Sequence, residues 1–200
     1  IKPGQKRQRK RMAQVAAVLS RQRAAGRPLR ILELGAGTGG TTSHVLPLLP
    51  AEDVEYTFTD VGALFVARAR ERFASHPFMR FATLDLEQSP EAQGFRASDY
   101  DLVLASNVIH ATRELRTTLA SVLQLMAPGA TLAMLEVTAP QRWFDLTVGL
   151  TEGWWCFQDT DLRPSYATLD AQRWTQLLSA VGFEDAVAVP GLERRSATLD

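Results

Sequence analysis

Hydrophobic and polar positions follow two rhythms along this chain. Met12, Val15, Ala16 and Leu19 recur at helical spacing, which predicts an amphipathic helix over 12–25, closed by Gly26 and Pro28. From residue 29 near-continuous apolar runs take over. "LRILELG" (29–35), "EYTFTD" (55–60), "RFATLDL" (80–86), "YDLVLASN" (100–107) and "ATLAMLEV" (130–137) read as buried strands. Between them "TTSHVLPLL" (41–49), "ALFVARARERFAS" (63–75) and "ELRTTLASVLQLM" (114–126) read as helices, and Pro128-Gly129 as a turn. Such alternation predicts a parallel sheet covered on both faces. After residue 138 the pattern gives way to the aromatic-rich "RWFDLTVGLTEGWWCF". It recovers with a helix at 170–181 and a strand near 183–189, and "RRSATLD" reads as part of one more strand. The expected architecture is an α/β three-layer domain with a mainly parallel sheet of seven strands.

Bulk composition narrows the function only by exclusion. The 200 residues suit one domain, 46% are hydrophobic and 22% charged. Lys+Arg and Asp+Glu are both 22, so no global field favours nucleic acid or a membrane surface. No apolar run is long enough to span a bilayer, and no signal peptide is visible. Residues 1–28 read as a basic, helical N-terminal segment, with "IKPGQKRQRKR" (1–11) as a solvated lead-in rather than a docking site. Cys156 is the only cysteine, which rules out an internal disulfide and fits a reducing compartment such as the cytoplasm. The isoleucine start and the abrupt end after "RRSATLD" suggest a piece of a longer polypeptide.

The chemistry begins at "ILELGAGTGGTT" (31–42), with four glycines within six residues after a strand. Such glycines let the backbone pass close to a ligand at a helix N-terminus. No Gly-Lys-Ser/Thr follows, so a triphosphate-binding loop is excluded. Gly35, Gly37 and Gly40 satisfy the dinucleotide spacing, while Gly35, Gly37 and Gly39 after Glu33 equally satisfy the methyltransferase spacing. The later strand ends separate the two. Asp60 ends the second strand, where a carboxylate can accept both ribose hydroxyls. Asp85 follows the third, at the same sheet edge, where it can accept from an adenine amino group. Asn107 follows the fourth. Acids after three successive strands and an asparagine after the fourth match S-adenosylmethionine sites better than dinucleotide sites.

"ILELGAGTGGTT", "YTFTDV", "LDLE", "YDLVLASNVIHAT", "LEVT" and "GLTEGWWCF…DLRPSYATLDAQRW" resemble the methyltransferase domains of polyketide synthases, especially their C-methyltransferase domains. The resemblance runs from about residue 29 to about 190, and it implies a Rossmann-like α/β three-layer sandwich whose seven-stranded, mainly parallel sheet ends in an antiparallel strand near 195–200. It implies S-adenosylmethionine as cofactor, held by Glu33, Gly35, Ala36, Gly37, Thr38, Gly39, Asp60, Val61, Asp85, Leu86 and Asn107. It also implies a catalytic pair of His110, after the fourth strand, and Glu136, at the end of the fifth. Those strands are expected to be neighbours, about 4.8 Å apart, so both side chains start at the ligand-binding edge. A carboxylate beside an imidazole fixes its tautomer and stabilises the imidazolium. Such a pair can take a proton from a carbon between two carbonyls, or from a hydroxyl. In that family a sizeable N-terminal lid usually precedes the glycine motif, whereas about 28 residues precede it here.

No metal is expected: His44, His76 and His110 are widely spaced and no Cys/His cluster exists. The aromatic insertion at about 138–169 is expected to roof the acceptor site. Trp155 reads first as packing, and Trp155, Arg163 and Tyr166 are candidates for touching the substrate. The expected acceptor is a polyketide intermediate on the phosphopantetheine arm of an acyl carrier protein, with neighbouring synthase domains in the same polypeptide. The favoured reaction is methylation of the α-carbon of a β-ketoacyl chain. O-methylation of a β-hydroxyl or enol, a silent scaffold domain and an NAD-dependent oxidoreductase are the alternatives.

Overall fold

The computed structural model describes residues 3–22 and 27–189. Helix α1 (Pro3–Gln22) precedes β1 (Leu29–Leu34), α2 (Thr42–Val45), β2 (Val54–Asp60), α3 (Ala63–Arg72) and β3 (Met79–Thr83). Then come β4 (Tyr100–Ser106), α4 (Leu115–Leu125), β5 (Met126–Leu135), α5 (Arg142–Asp145) and α6 (Ala171–Val181). The sheet runs β3-β2-β1-β4-β5 with every pair parallel. Its order reverses between β1 and β4, so the crevice at their carboxyl ends is where this kind of sheet binds ligands.

Side-chain alternation on the central strands sorts two cores. Ile31, Tyr56, Phe58, Leu102 and Leu104 pack with Met12, Ala13 and Ala16 of α1, Val45 of α2, and Ala69 and Phe73 around α3. Leu32, Leu34, Val103 and Ala105 pack on the other face with Leu115, Leu119 and Val122 of α4 and Trp174 and Leu177 of α6. Both faces are therefore apolar, as a parallel sheet between helical layers requires. α6 is closed at both ends by local chemistry. Asp170 accepts from the Arg173 N–H at 2.8 Å, and Gly182 adopts φ 113° past its end.

Several expectations need correction. Five strands form among the described residues, not seven. Residues 183–189 make no strand, and Val187 and Val189 stand exposed there. The strand expected near 195–200 lies outside the described residues. The helix expected over 41–49 is four residues long, because Pro47 has no N–H to continue it and the chain tightens into a 3₁₀ turn over Leu46–Leu48. Pro128-Gly129 does not separate helix from strand. β5 starts at Met126, opposite Tyr100, and pairs again from Thr131 opposite Leu102, so the turn is an irregularity inside the strand. No described helix is long and apolar enough to cross a membrane.

Candidate active site

The glycine loop leaves β1 and is tied down by backbone and by one carboxylate. The Ala36 N–H donates to the Thr59 carbonyl at 2.9 Å, and Arg72 donates to the Thr38 carbonyl at 2.7 Å. Asp60 accepts from the Gly37 N–H through Oδ2 and from the Gly62 N–H through Oδ1, both at 2.8 Å. Each of its oxygens keeps a second lone pair for a ligand hydroxyl. Gly35 and Gly37 both have positive φ, 52° and 55°, a region that L side chains rarely occupy. Their surroundings differ. A Cβ on Gly35 would meet Val108 Cγ2 at 2.2 Å, whereas one on Gly37 would meet nothing within 4 Å.

Glu33 lies buried beside this loop. Its Oε2 accepts from Thr42 Oγ1 and from the Tyr56 hydroxyl, both at 2.6 Å. Burial pushes its carboxyl up to about 7, against the opposing pull of the two hydroxyls and the positive charge of Arg9. Its described bonds therefore brace α2 and β2. Arg9 was not singled out in the sequence. Its guanidinium crosses so close to Gly40 that a Cβ there would meet Nη1 at 2.5 Å. The absence of a side chain at Gly40 thus makes room for the Arg9 guanidinium of α1.

The other expected cofactor residues lie along the same edge. Asp85 follows β3, with Oδ1 accepting from the Glu87 N–H at 2.9 Å and its own N–H donating to Gln93. Val61 is exposed beside Asp60, while the Leu86 side chain is buried in the α4 core. Asn107 takes a left-handed φ of 52°, and its Oδ1 is buried without a partner. A buried amide oxygen lacking a donor costs stability, so Asn107 fits a ligand that brings an N–H. With the space over Gly37 and the spare lone pairs of Asp60, the edge fits a nucleoside carrying an amino-acid group.

His110 and Glu136 meet where this edge passes under the insertion. His110 sits in a 3₁₀ turn (Ile109–Ala111) after β4, and Glu136 follows β5. Nδ1 and Oε2 are 2.5 Å apart, and both side chains are nearly fully buried. Glu136 Oε1 accepts from the Val108 and Ile109 N–H groups at 3.1 and 2.9 Å. The carboxylate is thus fixed by the backbone of the turn that carries the histidine. With Nδ1–H donated to Glu136, the Nε2 lone pair is left for chemistry.

The insertion packs as its own small core of Phe144, Trp154 and Ala167, joined by Val137, Trp143, Phe157 and Tyr166. Trp154 packs edge-on against His110, with ring centroids 5.3 Å apart. Trp155 is half exposed and donates to the Gly149 carbonyl at 2.8 Å, and the Tyr166 hydroxyl donates to Asp145 at 2.6 Å. Arg163 points inward instead of lining a substrate face. It donates to Asp159 and to three carbonyls of the segment after β4. Asp159 escaped the sequence reading, although an acid four residues before an arginine in an aromatic stretch was a usable signal. No group of three His, Cys, Asp or Glu side chains among the described residues could hold a metal ion.

Residues 32–132 match the family described as "Methyltransferase domain", and the chain belongs to it. S-adenosylmethionine is the cofactor of this family. Within the family, the chain stands with the methyltransferase domains of polyketide synthases. It is 44% identical over 177 residues to the non-reducing polyketide synthase trt4 of Aspergillus terreus, covering 86% of this chain and 7% of that synthase. The CurJ carbon methyltransferase superposes with a TM-score of 0.89 at 45% identity, over 93% of this chain and 50% of that one. The trans-methyltransferase CalH, solved with SAH, gives 0.76 at 36% identity, over 85% of this chain and 48% of that one. The chain therefore spans about half the length of these solved domains and a small part of the synthase.

Proposed function

We propose that the chain methylates the α-carbon of a β-ketoacyl group carried on the phosphopantetheine arm of an acyl carrier protein. In this reading it works as one domain of a multidomain polyketide synthase. The observation that carries the reading is the buried His110–Glu136 pair at the edge that also holds the glycine loop. Its similarity to a carbon methyltransferase supports carbon as the acceptor.

Bound S-adenosylmethionine supplies a methyl group on a positively charged sulfur, already an electrophile. Gly35–Gly39 would shape its seat, with Asp60 to accept from the ribose hydroxyls, Asp85 to accept from the adenine amino group and the unpartnered Asn107 Oδ1 to accept from the amino-acid group. The acceptor needs to lose a proton, and His110 Nε2 takes it from the carbon between the two carbonyls. The electron pair of the broken C–H bond stays with the acceptor and forms the new C–C bond to the methyl group, whose bond to sulfur would break with its electron pair left on sulfur, so that the neutral thioether S-adenosylhomocysteine would leave. Glu136 holds the imidazole in the tautomer with Nε2 free and stabilises the cation it becomes.

Intact-mass measurement of carrier-bound acyl chains incubated with S-adenosylmethionine tests this reading. The expected result is a gain of one methylene on the β-ketoacyl carrier and none on the β-hydroxyacyl carrier. The reverse pattern would mean O-methylation, and no gain on either would overturn methyl transfer to carrier-bound chains.

A further inference from the structure

Arg163 is 1% exposed, and four of its N–H bonds are accounted for. Nε donates to Asp159 Oδ1 at 2.5 Å, and Nη1 to the His110 carbonyl at 2.8 Å. Nη2 donates to the carbonyls of Thr112 and Arg113, at 2.8 and 2.9 Å. The other oxygen of Asp159, Oδ2, accepts from the Leu115 N–H at 2.9 Å, at the first residue of α4. One buried ion pair thus holds residues 110–115 at both ends. The same roof segment adds the Gln158 N–H to the Arg113 carbonyl at 2.9 Å, and the guanidinium lies 5.2 Å over the Phe157 ring.

Burying two charges costs several kcal/mol each, and a well-packed apolar pair is often at least as stable. The pair therefore needs a reason other than bulk stability, and its partners supply one. Every group it binds outside itself is backbone of the segment that carries His110. The planar fork makes four bonds here in fixed directions, to Asp159 and three carbonyls, one more than the three N–H donors of a lysine ammonium could make.

We propose that Asp159 and Arg163 are positioning residues for the base: they carry the seating of the roof into the placement of His110 against Glu136. The proposal rests on the reading of His110 as the base. It makes the roof part of the proton-transfer machinery, because the insertion sets where Nε2 sits through a residue 53 positions away.

The test is proton NMR of the ¹⁵N-labelled chain, read beside kinetics. In the wild type the His110 Nδ1–H bonded to Glu136 gives a far-downfield resonance, assigned by its loss in His110→Gln. In Arg163→Lys that resonance is expected to shift or vanish. The kcat for carrier-bound substrate is expected to fall about 10²-fold, the scale of a 1 Å misplacement. The substrate KM and the affinity for S-adenosylmethionine should hold. An unmoved resonance overturns the proposal, whether or not kcat falls, since activity would then have been lost by another route. If Arg163→Lys does not fold, Asp159→Asn carries the test with the same signs and the same overturning result. Should the wild type methylate neither acyl substrate, the functional reading falls, and the resonance alone still decides whether the pair positions His110.

Discussion

The glycine-loop edge and the aromatic roof both reach His110, but they hold their side chains by different means. At the loop edge the backbone does the work. Strand ends in a fixed parallel register put Gly35, Asp60 and Asn107 side by side, and Asp60 ties down two backbone N–H groups. In the roof there is no strand and no long helix. Phe144, Trp154 and Tyr166 pack on one another, and a buried ion pair fastens the segment to the loop below. A register set by a sheet survives the loss of one side chain, whereas a packing set by a few aromatic rings does not.

That contrast can be broken by substitution. Trp154→Ala should act most strongly, because a buried aromatic truncated to alanine costs about 3–5 kcal/mol and the roof has few other contacts to share the loss. Hydrogen exchange should show faster exchange over residues 142–169 and unchanged protection in β1 and β2. Equal loosening of both regions would mean that they are not separate.

Glu33 gives the next largest effect, confined to the loop side. Its folded value of about 7 lies above the ordinary 4.5, so the fold prefers the protonated acid. Its burial is fully tolerated below about pH 4.5, and stability is lost as pH rises toward 7, by about 3 kcal/mol in all. Glu33→Gln removes the ionisation and keeps an oxygen for Thr42 and Tyr56. Urea unfolding at pH 5 and pH 8 should show the variant gaining on the wild type at the higher pH. A constant gap between them would contradict the assignment.

Three cofactor-side changes come last. Asp60→Ala should weaken S-adenosylmethionine binding by about 1.5–3 kcal/mol, the range for hydrogen bonds to a charged group, as read by calorimetry with roof exchange unchanged. Gly37→Ala should cost about 1–2 kcal/mol from its left-handed backbone alone. Gly35→Ala should cost more, because its new methyl also meets Val108. Thermal melts of the two variants rank them, and equal losses would mean that Val108 gives way freely.

The same contrast explains what could be read in the sequence. β1, β2 and β4 were legible because strands buried on both faces are written as apolar runs of strand length. The residues after them could be singled out together because parallel strands all end at one edge. The acceptor side was not. Arg163 was picked out for the substrate and turned out to bind backbone, because its partners are 50 to 53 residues earlier in the chain. No local period records such a distance. β5 was misread at its start because Pro128 and Gly129 carry a strong turn signal, while the pairing of Met126 with Tyr100 depends on a neighbouring strand. The missing strand at 183–189 fails for the same reason: an apolar alternation becomes a strand only beside a partner.

The central claim is that the cofactor edge and the proton-removing pair are separable parts of one site. The direct measurement is His110→Ala, assayed in single turnover on a carrier-bound β-ketoacyl chain, with S-adenosylmethionine affinity measured by calorimetry on the same sample. The expected result is unchanged affinity and a rate about 10²–10⁴-fold lower, the usual worth of a general base. A rate within a factor of about ten of wild type, or a loss of affinity as large as the loss of rate, would contradict the account.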